Sequence, residues 1–388
     1  MAIKQKLLSP ISLAVALTLS ACGGGGSSSS NETPTASLPS TTPATSSTID
    51  DEYGLWLTDL SNKMILPGYM VMQDYAEILL TESQDFCALS SPSDNDLLPL
   101  QNAWAVFNES WQYMQWLKVG PVLEESRLFR VQLWPDSNDA VSRNIGNLLL
   151  EPNEITSEMV ANQPVGAQGI PALEYLLFTT GDDSILSAND KDKRCQAVEG
   201  IAQNLANIST SLYQGWLSSD GNYIEQVTSG TGDFTSRKDA AEELVTNWLE
   251  QIEKVKDEKM LEPLAINAPG LPHLIEFTLS EQSLTSIKIN LNTFKDLFTA
   301  MDGHGFDNIL TTHLEQQAIS ENMMSKLDAA IATASSLEGN YADLLNDEQA
   351  RNTITELIQN IREIRDLVTA EFVQATDINI GFNSNDGD

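Results

Sequence analysis

The stretch richest in chemistry runs Gly166-Ala167-Gln168-Gly169-Ile170-Pro171-Ala172-Leu173-Glu174-Tyr175-Leu176-Leu177-Phe178. Glycines precede a proline, and an apolar run of helical character follows. Pro171 suits the first turn of a helix, where its missing N–H removes no hydrogen bond. Two roles are open to Glu174. Near the positive end of that helix an exposed carboxylate gains about 0.3–1 kcal/mol. Projecting inward among Tyr and Leu, it would instead contact a metal or a ligand.

Other candidates are thin. The chain has three histidines, His273, His304 and His313. None forms the i,i+4 pair that grips zinc on one helical face. His304 and His313 could approach across a turn, with Gly303 and Gly305 flanking the first. Asp136, Asp139, Asp182, Asp183, Asp190 and Asp192 fall in loops and offer oxygen donors to hard cations. No Gly-x-Gly-x-x-Gly, P-loop, Gly-x-Ser-x-Gly or His-Glu-x-x-His sequence occurs, so the chemistries tied to those motifs lack their residues.

The elements that must hold these residues are helices. Trp104, Phe107, Trp111 and Met114 recur at spacings of three and four, the mark of one amphipathic face. Cys195, Val198, Ile201/Ala202, Leu205, Ile208, Leu212 and Trp216 do the same. So do Leu284, Ile287, Leu291, Phe294, Phe298 and Met301, and the run Ile309, Leu314, Ile319, Met323, Leu327 and Ile331 is comparable. Ile354, Leu357, Ile361, Ile364, Val368 and Phe372 make the cleanest stripe. No segment sustains a period-two alternation. The expectation is an all-α chain of two helical-bundle domains, residues 49–230 and 231–388, with Ser236 capping the helix that follows the break. Cys87 and Cys195 both fall on predicted helices of the first domain. In an oxidising compartment they would pair and close a loop of about 109 residues, worth at most roughly 4–5 kcal/mol in the chain-entropy model.

The N-terminus reads as an address. Lys4 and Lys6 precede an apolar run from Leu7 to Leu19, too short for a span of about 20 apolar residues. Leu19-Ser20-Ala21-Cys22 follows and resembles the lipobox of bacterial lipoproteins. That resemblance implies cleavage after residue 21, lipidation of Cys22 and, with Gly23 next, delivery to the outer membrane. Residues 22–48 are rich in Gly, Ser, Thr and Pro, with Glu32 the one charge up to Thr48, and read as a flexible linker. Against 21 Lys and Arg stand 55 Asp and Glu, a net charge of −34. Such a field disfavours nucleic acid and attracts cations.

Taken in order, several pieces resemble the imelysin-like family, also classed as M75 peptidases. Gly169-Ile-Pro171-Ala-Leu-Glu174 is similar to its Gly-x-His-x-x-Glu motif. Asp85-Phe86-Cys87, Leu100 to Trp104, Trp111, Gly120-Pro121, Leu133-Trp134-Pro135-Asp136 and Arg194-Cys195 follow the same order. Gly305-Phe306-Asp307 and Ile380-Gly381-Phe382-Asn383 extend it. The resemblance implies two helical halves with the motif near their junction, and an envelope protein tied to iron acquisition and its partner proteins. It also raises metallopeptidase activity and a bound iron or other divalent metal. In the family form, His at i and Glu at i+3 lie on one helical face as a metal-ligand pair. Here Pro171 replaces the His, and one ligand of that pair is gone. The sequence thus points to a non-catalytic binding protein with Glu174, Tyr175, Pro171 and Gly169 as its contacts and Glu174 as its metal candidate. The alternative is an M75-type peptidase using Glu174.

Overall fold

The computed structural model describes residues 47–136 and 138–381. The leader, the lipobox Cys22, the linker to residue 46 and the last seven residues lie outside the described residues.

Thr48 opens the fold. Its hydroxyl accepts the Asp51 amide while the Asp51 carboxylate accepts the Thr48 amide. This reciprocal cap satisfies donors that a first helical turn leaves free. Helix α1 (Ile49–Leu60) follows and passes through a wide π turn into α2 (Leu66–Cys87). Ser93 and Asp96 repeat the cap for α3 (Asp94–Met114). Next come α4 (Ala140–Leu149), α5 (Gly169–Phe178), α6 (Lys191–Trp216) and α7 (Tyr223–Ser229). Ser236 caps α8 (Arg237–Lys254) by accepting the Asp239 amide, and α8 runs on through a π-helical segment, Val255–Leu261. The last long helices are α9 (Ser283–Thr299), α10 (Gln317–Ser335) and α11 (Glu348–Leu367). The described residues contain no strand.

The periodic faces pack as their spacing requires. Trp104, Phe107, Trp111 and Met114 on α3 are all buried, as are Ile354, Leu357, Ile361 and Ile364 on α11. Helix α2 lies against α3 and α6, while α5 packs on α3, α4 and α6. Helices α9, α10 and α11 pack in succession, and α8 rests on α1, α9 and α11. Helix α3 also packs on α9, so residues from before and after position 230 share one compact body. Gly230, with φ of 63°, closes α7 where the boundary was expected. Cys87 at the end of α2 is bonded to Cys195 near the start of α6, with Cα atoms 5.5 Å apart. Among the described residues no helix is long and apolar enough to cross a membrane.

Two stripes end earlier than their spacing implied. Helix α9 stops at Thr299, because Ala300, Met301 and Asp302 all take left-handed backbone, and Met301 leaves the core face half exposed. The run from Ile309 to Ile331 is also not one helix. A π turn at Ile309–His313 ends before Glu315, whose φ is 55°, and α10 starts afresh at Gln317. Apolar spacing carries across both breaks, since each segment separately turns apolar residues inward.

Candidate ligand-binding site

Helix α5 is set in place before its own side chains do anything. Gly169 has φ of +76°, and a Cβ there would lie 2.3 Å from the Val131 carbonyl oxygen and 2.5 Å from that of Arg130. Only glycine combines that backbone with so close an approach. Gln168, just before it, is buried. Its Oε1 accepts from Arg130 Nε at 3.0 Å and from Asn204 Nδ2 at 3.1 Å, and its Nε2 donates to the Gln163 carbonyl at 2.7 Å. Trp104 Nε1 then donates to the Ile170 carbonyl at 3.0 Å. Pro171 stands third in the helix, where its absent N–H would have had no helical partner.

One turn on, Glu174 points to the same side as Pro171. Both line a cavity of about 380 Å³ that Tyr175 also borders. Leu133, Trp134 and Val141 supply a second wall, and Ile275, Phe277 and Leu279 a third. Gly169 is not a wall residue; its part is the close approach of α5 to Val131. Glu174 is 7 % exposed, so the role of an exposed carboxylate at a helix end does not apply to it. Its Oε1 accepts from the Ser280 amide at 2.9 Å and the Ser280 hydroxyl at 2.7 Å. Burial pushes the carboxyl up to about 7; the Ser280 bonds and the Leu279 amide oppose the rise, and the nearby charge of Glu276 adds to it. A carboxyl so placed is poised near neutrality, as functional acids and bases are.

Behind the third wall lies a buried polar network. Glu276, between Ile275 and Phe277, pairs with Lys259 Nζ at 3.0 Å, and the two side chains are 2 % and 1 % exposed. Lys259 also donates to Gln112 Oε1 at 2.7 Å and to Asn290 Oδ1 at 2.8 Å. Gln132 Nε2 donates to Glu276 Oε1 at 2.6 Å, and Gln132 Oε1 receives Trp111 Nε1 at 2.6 Å. Burial brings Lys259 down to about 8, against the pull of Glu276. Lys254 and Lys259 hold their ammonium groups 5.3 and 6.0 Å from the Trp134 ring centre.

Of the remaining candidates, Asp136 and Asp139 border the same cavity and the others go elsewhere. His304 and His313 do approach, but on a shared carboxylate rather than on each other. Glu52 of α1 meets His304 Nε2 at 2.7 Å and His313 Nδ1 at 3.5 Å. Asp59 accepts the His304 amide at 2.6 Å, and the Ser47 hydroxyl donates to Glu52. None of the three histidines lines the Glu174 cavity. Asp136 accepts the amides of Ala140 and Val141, both at 2.8 Å, which caps α4. Asp190 and Asp183 pair with Arg194. Among the described residues no three His, Cys, Asp or Glu side chains are grouped so as to hold a metal ion.

The donor set at Glu174 does not fit a resident metal ion. Pro171 offers no side-chain donor, and one oxygen of the single buried carboxyl is taken by Ser280. Sequence reading missed Ser280, Glu276, Lys259 and Glu52. Each reaches its site from a distant part of the chain, and none belongs to a motif. The one local cue was the pair of loop prolines, Pro269 and Pro272, which mark an irregular segment just before the third wall.

The family model described as Imelysin, Peptidase M75, matches residues 65–368. No curated protein matches. Among solved structures, an imelysin-like protein from Psychrobacter arcticum is 20 % identical, with a TM-score of 0.71, covering 87 % of this chain and 99 % of that one. A putative iron-regulated protein A precursor from Parabacteroides distasonis is 16 % identical, with a TM-score of 0.67, covering 85 % of this chain and 97 % of that one. With most of its length matched by that model, the helical chain built around Pro171 and Glu174 belongs to the imelysin family.

Proposed function

We propose that this chain is a lipid-anchored envelope protein of the imelysin family that binds a small ligand in the Glu174 cavity in the service of iron acquisition, without cutting peptides. One observation carries the reading. Pro171 stands on the cavity wall one turn before Glu174, where the family motif has an imidazole, so the cavity keeps a carboxyl but lacks the partner ligand. A cavity of apolar and aromatic walls with a few convergent polar groups is the ordinary form of a small-molecule site. The link to iron is supported by the name of the Parabacteroides distasonis relative, and the anchor by the sequence around Cys22. Iron would be the cargo that the site serves, not a resident cofactor.

The competing reading is a metal-dependent peptidase with Glu174 as its base, favoured by the carboxyl's position near neutrality. The pure full-length protein, supplied with zinc or iron and an unfolded protein substrate, is expected to release no peptides. Metal-dependent cleavage that Glu174→Gln abolishes would establish the peptidase instead. For the anchor, Cys22→Ser is expected to move the protein from the membrane fraction to the soluble fraction. A variant that stays with the membrane would refute lipidation at Cys22.

A further inference from the structure

Building on the reading of the Glu174 cavity as a binding site, we propose that its ligand is a compact organic cation, with an ammonium head for Glu174 and a small apolar body for the surrounding walls. Size sets the first limit. A volume of about 380 Å³ is at the low end for small-molecule sites. The walls set the second. Pro171, Ile275 and Leu279 favour an apolar body, while Trp134, Tyr175 and Phe277 bring aromatic rings to the same space. Aromatic faces attract a cation within roughly 6 Å of the ring centre, more strongly where water is excluded.

Charge decides between ligand classes. Glu174 is the buried ionisable wall group, and both Ser280 bonds fall on Oε1. Ser280 makes no bond to Oε2, and that oxygen is assigned to the guest. Asp136 and Asp139 lie on the opposite wall. Glu276 stands behind the third wall, where its carboxylate is matched by Lys259 at 3.0 Å. No arginine or lysine is a wall residue; the ammonium groups of Lys254 and Lys259 lie 5.3 and 6.0 Å from the ring centre of the wall residue Trp134. An anion would therefore meet three wall carboxyls with no cationic wall residue to offset them. A bare metal ion would find Glu174 as the one buried carboxyl, and among the described residues the wall carboxyls are not grouped so as to hold a metal ion. An ammonium on an apolar body fits each of these facts.

The carboxyl holds its proton up to about 7 in the empty cavity, so a cation must displace that proton to form its ion pair. Affinity then rises about tenfold per pH unit well below neutrality, about fivefold from pH 6 to pH 7, and levels off above it. Asp136, Asp139, Tyr175, Glu276, Lys254 and Lys259 are the other charged or titratable groups around the cavity.

The test is calorimetric titration of the full-length protein with benzylamine, benzyl alcohol and benzoate, which share a body and differ in head charge. Benzylamine is expected to bind at least tenfold more tightly than the alcohol, with no heat from benzoate. Its affinity is expected to rise about fivefold from pH 6 to pH 7, and Glu174→Gln to erase the preference for the amine. If the alcohol or benzoate binds as well as the amine, and that binding changes in Glu174→Gln, the cationic ligand is refuted while the cavity stands as a site. If none of the three binds and zinc and ferric ions also give no heat, the binding reading itself fails. Where Glu174→Gln does not fold, the unmodified protein decides: an amine affinity equal at pH 6 and pH 7 overturns the proposal.

Discussion

At the scale of single residues, the site rests on a carboxyl kept from water. The folded chain holds the Glu174 proton up to about 7, while the unfolded chain releases it near the ordinary value of 4.5. Between those values the unfolded state carries fewer protons, so stability falls as pH rises, by on the order of 3 kcal/mol in all. This contribution is complete below pH 4.5 and gone above about pH 7. Glu174→Gln, which keeps the shape but cannot ionise, should flatten that slope and lie above the parent in stability at pH 8. Urea midpoints measured from pH 4.5 to pH 8 check this; an unchanged slope would place the carboxyl in water. Glu174 was legible as a candidate from one feature, an acid inside an apolar helical run that starts with Gly and Pro. Its burial and its clasp by Ser280 were not, because Ser280 lies 106 residues further on in a segment without periodicity.

At the scale of elements, the wide π-helical segment after α8 brings Lys259 onto Glu276, behind the third wall of the cavity. Removing one partner of a buried ion pair leaves an unmatched charge and costs about 3–5 kcal/mol, whereas replacing both by apolar groups is often close to neutral. Lys259→Met should therefore lower stability by about that much, and Lys259→Met with Glu276→Leu should recover most of it. Chemical denaturation of the single and double variants measures both. Strict additivity would show that the two residues do not interact. Long helices were readable because burying one face imposes the spacing of α3, α6 and α11 directly on the sequence. The stops at Ala300 and Glu315 were not, since left-handed backbone at a non-glycine residue leaves no mark in composition. The wall from Ile275 to Leu279 escaped for a related reason: irregular backbone has no period to detect.

At the scale of the whole molecule, the Cys87–Cys195 bond ties α2 to α6. The loop it closes is long, so in the chain-entropy account reduction removes up to about 4–5 kcal/mol. Reduced protein, or Cys195→Ser, should unfold at lower urea, with the slope against urea altered by the more expanded unfolded chain. An unshifted midpoint would mean that the bond constrains nothing. The pairing was readable from the sequence because two thiols, an expected export leader and predicted helices left few alternatives. The single body was less so: breaks near residue 230 are written in Gly and Pro, whereas the packing of α3 on α9 and of α1 on α8 is written nowhere in local sequence.

The clasp between Ser280 and Glu174 also fixes an order of events. A chain emerging N-terminus first lays down α5 with its acid early, yet the third wall arrives only a hundred residues later. Until then there is an open groove, not a chamber, and nothing to exclude water from the carboxyl. The closed cavity is thus a late acquisition of folding, so a nascent or truncated chain carries the acid but not the pocket.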